Sequence, residues 1–244
     1  MSSQKDLRSR QKKKRRPFYN FCYDFVKITG AIPILLWMRP KFYYPFGKPK
    51  TKGALLVSAN HRSMLDPIVV HTVFPWRRLN CLATKDLYST KTRARFFNQM
   101  HCIEVDKENF SLNSFHAVVS CLDEGKVVVI FPEGGLNYDR GETIHAFKSG
   151  AVLMAHKAGA PILPLYLVKP DKWYRRYRIV VGQPFNVRES VGAIPSMQDL
   201  TRASELLRDK EVELREYFEG LPIYKKIHAE AKAPDEEERT ELSV

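Results

Sequence analysis

The sequence predicts an α/β fold, a mostly parallel mixed sheet flanked by helices, with an N-terminal interfacial helical segment. Three observations carry this. Short apolar runs at 54–59, 79–83, 102–105, 127–131, 162–167 and 178–181 have the length and composition of buried strands. Helical patterns fall between them at 67–74, 94–99, 112–124 and 150–158, and such alternation implies a largely parallel sheet covered on both faces. Before all of these, a dense basic run leads directly into an aromatic, apolar stretch.

That first stretch sets the N-terminal organisation. Residues 8–16 read Arg-Ser-Arg-Gln-Lys-Lys-Lys-Arg-Arg, and 1–16 is expected as a basic disordered tail. Phe18, Tyr19, Phe21, Tyr23 and Phe25 follow, then 32–38, then Phe42-Tyr43-Tyr44. A basic run beside an aromatic helix is the pattern of an interfacial anchor, so 17–50 is expected to lie in a membrane surface. A spanning helix needs about 20 mostly apolar residues. Asp24 and Lys27 interrupt on one side, Arg39 and Lys41 on the other, and Pro33 lies within, so 28–38 is expected to be too short to span. No small-residue cleavage site follows the apolar run, which makes a signal peptide a poor reading.

Composition narrows the function classes. The chain has 244 residues, enough for one core domain with additional elements. A net charge of +13 directs it to polyanions: nucleic acid, an anionic membrane surface or a phosphorylated substrate. No nucleic-acid-binding motif is present, so no nucleic acid partner is expected. Cys22, Cys81, Cys102 and Cys121 have neither metal-type nor framework spacing and read as reduced thiols. No metal is expected.

The strand at 54–59 leads into Asn60-His61-Arg62-Ser63-Met64-Leu65-Asp66-Pro67. A histidine is the side chain best suited to take a proton near neutral pH, and a carboxylate on its other ring nitrogen fixes its tautomer. On one continuous helix, residues five apart point about 140° from each other, so His61 and Asp66 meet only if the chain bends. Pro67 supports a bend, with Asp66 as the N-cap of a helix at 67–74. Read more simply, Asp66 only caps and His61 is a loop histidine. Beyond 190, residues 195–219 read as a long charged helix with Leu200, Leu206, Leu207, Val212 and Leu214 on its apolar side. The divisions expected are a core at 51–190, a helical part at 191–228 and an acidic disordered tail at 229–244.

The block His61 to Asp66 resembles the first motif of the glycerolipid acyltransferase family, which includes 1-acylglycerol-3-phosphate acyltransferases: His, four residues, Asp. Phe131-Pro132-Glu133-Gly134 resembles a second family block, and 147–150 and 160–164 resemble two more, in the same order. Lys85 matches a lysine the family often carries after its second strand. The resemblance spans roughly 53–167. It implies that His61, held by Asp66, deprotonates an acceptor hydroxyl, which attacks an acyl thioester. Acyl-CoA or acyl carrier protein would be the co-substrate, with no further cofactor, and a lysophospholipid the acceptor, at the cytoplasmic face of a membrane. Lys85 or the amides of Gly134 and Gly135 would stabilise the oxyanion. Lys107, Arg140 and Lys148 are candidate phosphate contacts. Glu133 either orders the acceptor, holds a basic residue or bonds turn amides. The chain departs from the pattern where Gly135 and Leu136 stand for Thr-Arg, and where Lys107 stands for arginine; a point charge replaces a bidentate fork. The alternatives are a different acceptor, or a membrane-peripheral lipid-binding protein that lost the chemistry.

Overall fold

The computed structural model describes residues 17–106, 111–138, 144–170 and 176–225. The tails at 1–16 and 229–244 lie outside them. In chain order the elements are helix α1 Pro17–Met38, strand β1 Lys41–Tyr43, β2 Leu55–Ala59, α2 Asp66–Val73, β3 Leu79–Thr84, a 3₁₀ turn Lys85–Tyr88, α3 Lys91–Gln99 and β4 Ile103–Val105. These are followed by α4 Leu112–Asp123, β5 Val127–Ile130, α5 Gly150–Ala158, β6 Ile162–Val168, β7 Arg178–Val181, α6 Val187–Val191 and α7 Met197–Glu219. The strands form one sheet in the order β1-β7-β6-β2-β5-β3-β4. Every pairing is parallel except β6 with β7.

Continuous apolar strands follow from burial on both faces. On β2, Leu55, Val57 and Ala59 face a cluster with Val69 and Val70 of α2 and Met38 of α1. Leu56 faces the opposite cluster, with Val118 of α4, Val152 and Met154 of α5 and Leu207 of α7. Parallel pairing brings the carboxyl ends of β2, β5, β3 and β4 to one edge, where sites in such sheets gather. Edge strand β1 was not foreseen: three residues, Lys41-Phe42-Tyr43, carry too little period-2 signal. The start of α3 was also missed, and Thr90 supplies its cap by accepting from Arg93 N.

Helix α1 corrects an expectation. Pro33 does not interrupt it; the helix is continuous over 22 residues. By length and composition alone, Asn20–Met38 is apolar enough to cross a membrane, and only 12% of its most apolar window is buried. One face is nevertheless tied to the domain. Tyr23 Oη bonds His71 Nε2 at 2.9 Å and accepts from Leu79 N at 2.8 Å. Asp24 pairs with Arg78, and Lys27 Nζ donates to the Arg77 carbonyl at 2.6 Å. At the far end Met38 is buried in the core, and its carbonyl accepts from Tyr177 N. Phe21, Phe25 and Leu36 remain exposed on the other side.

Helix α7 buries Leu200, Ala203, Leu207, Leu214 and Phe218 at helical spacing, and Glu211 occupies the same line. Glu211 is fully buried under β2, where Ser58 Oγ donates to its Oε1 at 2.6 Å and Oε2 has no partner. Burial, with Glu133 nearby, pushes its carboxyl well above the usual range. The unfolded chain therefore loses this proton at a lower pH than the folded one. Stability falls as pH rises from the ordinary glutamate range toward the folded value. Glu211→Gln keeps the shape and removes the proton. Thermal unfolding at pH 8 is expected to show the variant more stable than the parent, the gain shrinking toward pH 4.

Candidate active site

Strand β2 ends at a fixed point. Asn60, just beyond it, donates through Nδ2 to Leu167 O at 3.0 Å and accepts from Leu167 N at 2.7 Å, joining the strand end to β6. The chain then bends, and His61 Nδ1 lies 3.0 Å from Asp66 Oδ2. The same oxygen accepts from Arg62 N and Ser63 N, both at 2.7 Å. An oxygen already taking two N–H donors is an acceptor, so Nδ1 carries the imidazole proton and Nε2 presents its lone pair. Asp66 is 1% exposed and is the first residue of α2, with Leu65 at the cap position. Its side chain closes the preceding turn rather than capping the helix as expected.

Loop residues after β5 hold the histidine from the other side. The Phe131 ring stacks on His61 with centroids 4.1 Å apart. Glu133, whose side chain is 2% exposed, accepts from His61 N through Oε1 at 3.0 Å. Its Oε2 accepts from Asn137 Nδ2 at 2.9 Å and His145 N at 3.3 Å. Asn137 N in turn donates to His61 O at 2.7 Å. Glu133 is thus a clamp on the histidine's backbone, which favours the amide-bonding role among its three expected roles over ordering the acceptor or holding a basic residue. Phe131 and Asn137 were not named as functional: stacking and a backbone clamp need the spatial adjacency of β2 and β5, which spacing does not reveal.

Gly134 has φ +77°, and a Cβ there would stand 2.8 Å from Lys148 Cε. Its amide donates to the Phe131 carbonyl at 3.1 Å, so it closes the turn and is not the oxyanion donor proposed for it. Gly135, Lys148 and His61 line one mostly apolar cleft of about 1960 Å³, roofed by α1 through residues such as Ile34 and Leu35. Lys85 does not line it. Its neighbours Thr84, Asp86 and Leu87 do line it, but Lys85 itself faces a second cavity with Glu104 and Ser114. Lys107 and Arg140 lie outside the described residues. Gly134→Ala is expected to cost about 1 kcal/mol in stability for the left-handed backbone. Displacing Lys148 is expected to lower transfer roughly tenfold to a hundredfold, read in a thioester assay.

Burial drives the Cys81 thiol far up and the Cys102 thiol to about 12, so neither is a ready nucleophile. Among the described residues, no group of three or more His, Cys, Asp or Glu side chains is arranged to hold a metal.

A seven-stranded, mostly parallel sheet with a His–Asp pair beyond its strand ends, opening on a large apolar cleft, has the architecture of an α/β enzyme. Residues 43–168 match the family model described as Acyltransferase, and the chain belongs to that family; it is an O-acyltransferase. A 1-acyl-sn-glycerol-3-phosphate acyltransferase of Bacillus subtilis is 25% identical over 211 residues, covering 83% of this chain and 100% of the relative. A probable 1-acyl-sn-glycerol-3-phosphate acyltransferase of Mycoplasma pneumoniae is 32% identical over 123 residues, 48% of this chain and 45% of that protein. The crystal structure of the 1-acyl-sn-glycerophosphate (LPA) acyltransferase PlsC from Thermotoga maritima shares the fold, with TM-score 0.58, 16% identity and 86% coverage of each chain.

Proposed function

We propose that this enzyme moves a fatty acyl chain from a thioester, acyl-CoA or acyl carrier protein, to the free hydroxyl of 1-acylglycerol-3-phosphate, giving phosphatidic acid for phospholipid synthesis. The observation that carries this reading is the His61 Nδ1 to Asp66 contact of 3.0 Å, with His61 lining a cleft large and apolar enough for acyl chains. His61 Nε2 takes the acceptor hydroxyl proton as its oxygen attacks the thioester carbon. Asp66 stabilises the imidazolium, and the Gly135 amide serves the oxyanion. Collapse breaks the carbon–sulfur bond, and His61 returns the proton to the thiolate. Lys148 takes the acceptor phosphate as a point charge, with Lys107 and Arg140 as further contacts.

The membrane is the source of the acceptor and the sink for the product. Tyr23, Lys27, Ile34 and Met38 fall on one side of α1, against the domain, while Phe21, Phe25 and Leu36 lie opposite. A helix docked on one side from Tyr23 to Met38, over about 22 Å, and apolar on the other fits a monotopic seat on the cytoplasmic surface. The net charge of +13 favours anionic lipid.

The test is thiol release from palmitoyl-CoA and palmitoyl carrier protein against a panel of lysophospholipids in vesicles. Release that requires 1-acylglycerol-3-phosphate supports the reading. Release only with another lysophospholipid replaces the acceptor, and no release with any pair favours a lipid-binding protein.

A further inference from the structure

The globular domain carries apolar side chains that its core does not use. Trp76, on the loop between α2 and β3, is 95% exposed. Met64, inside the turn between His61 and Asp66, is 63% exposed, and Phe96 on α3 is 47% exposed. These come from three separate elements and line the long cleft at different points. Trp76 lies by the amino ends of β2 and β5, where Arg77 donates to the carbonyls of Thr51, Gly53 and Gly125, and Met64 lies beside His61 at their carboxyl ends. Ile28 of α1 lines it as well and is 60% exposed.

Ile28 connects two surfaces. With Phe21 and Phe25 it forms an i, i+4, i+7 stripe on α1, and Phe21 and Phe25 stack with centroids 6.2 Å apart. The edge of that stripe is therefore part of the cleft rim. The Trp76 loop is fixed to the same helix: Lys27 Nζ bonds the carbonyls of Phe74 and Arg77 on either side of Trp76, and Arg78 pairs with Asp24. Helix and loop thus form one unit. Exposed apolar side chains on the helix and along the cleft rim, interspersed with Lys27, Arg77 and Arg78 on a protein of charge +13, have the character of a lipid contact.

We propose that Trp76, with Met64 and Phe96, is a second membrane-contact element, so that the cleft mouth opens onto the bilayer and not onto water. This deepens the membrane-acceptor reading above and rests on it for its purpose. An acyl chain would then enter the cleft from the bilayer and run along it to His61, at the carboxyl ends of the strands. An indole at the water–lipid boundary is the aromatic side chain favoured there.

The test uses the full chain with Trp37→Phe and Trp173→Phe, which leaves Trp76 as the only tryptophan, and vesicles of phosphatidylcholine with about one-third phosphatidylglycerol. On vesicle binding, followed by co-sedimentation, Trp76 emission is expected to shift to the blue and to be quenched by lipids brominated on their acyl chains. Trp76→Gln in the otherwise unaltered chain is expected to weaken co-sedimentation about tenfold, the scale of withdrawing one large apolar side chain. Sedimented protein whose Trp76 emission stays unshifted and open to aqueous iodide overturns the proposal and leaves α1 as the contact. Failure to sediment with vesicles overturns it too. Buried Trp76 in a chain that transfers no acyl group supports the contact while contradicting the acyltransferase reading.

Discussion

His61→Ala is expected to lower acyl transfer by about 10²- to 10⁴-fold, the range typical of a lost general base. The imidazole is held by its ring and its backbone together, through Asp66, Phe131, Glu133 and Asn137. Water admitted by the alanine cannot reproduce that placement. The ring sits at the cleft edge of the core and not within it, so thermal unfolding and vesicle binding should change little. Thioester assays beside circular dichroism and co-sedimentation check all three. A variant that folds, binds vesicles and keeps more than about a tenth of its turnover is incompatible with general-base catalysis by His61.

The second large effect separates geometry from charge at Asp66. All three donors, His61 Nδ1, Arg62 N and Ser63 N, use Oδ2, while Oδ1 is buried without a partner. Asp66→Asn can place its carbonyl oxygen at the Oδ2 position and its amide where Oδ1 stood. The turn and the histidine tautomer then survive, and only the negative charge beside the imidazolium is lost. Asp66→Ala removes both and strands two backbone amides. The expected order is a drop of about 10²-fold for asparagine and about 10⁴-fold for alanine, with alanine also destabilised by roughly 1–3 kcal/mol. Equal activity losses in the two variants would mean that charge alone matters; full activity in asparagine would mean that only geometry does.

Much of this site was legible because its parts are local. The apolar run before His61, the spacing to Asp66 and the proline after it are short-range signals, and each strand buried on both faces declares itself as a continuous apolar run. What was not legible depends on tertiary placement. Lys85 follows its strand just as Glu133 follows β5, but the turn after β3 aims Thr84 and Asp86 at the cleft and Lys85 at a second cavity, and no spacing along the chain encodes that. Glu133 and Asn137 work as a clamp because β2 and β5 are neighbours. Glu211 reads as one more charge on a charged helix, and only packing against Ser58 makes it a buried acid. Pro33 looks like a break, yet α1 absorbs it on an exposed side, where the carbonyl it leaves without an intrahelical partner can turn outward.

The central claim is that His61 activates the acceptor directly, without an acyl-enzyme. A rapid-mixing single turnover with palmitoyl-CoA and excess enzyme on vesicles, run with and without 1-acylglycerol-3-phosphate, tests it most directly. Thiol release only when the acceptor is present, with no mass added to the protein, is the predicted result. A burst of thiol without acceptor, matched by one palmitoyl mass on the chain, would contradict it.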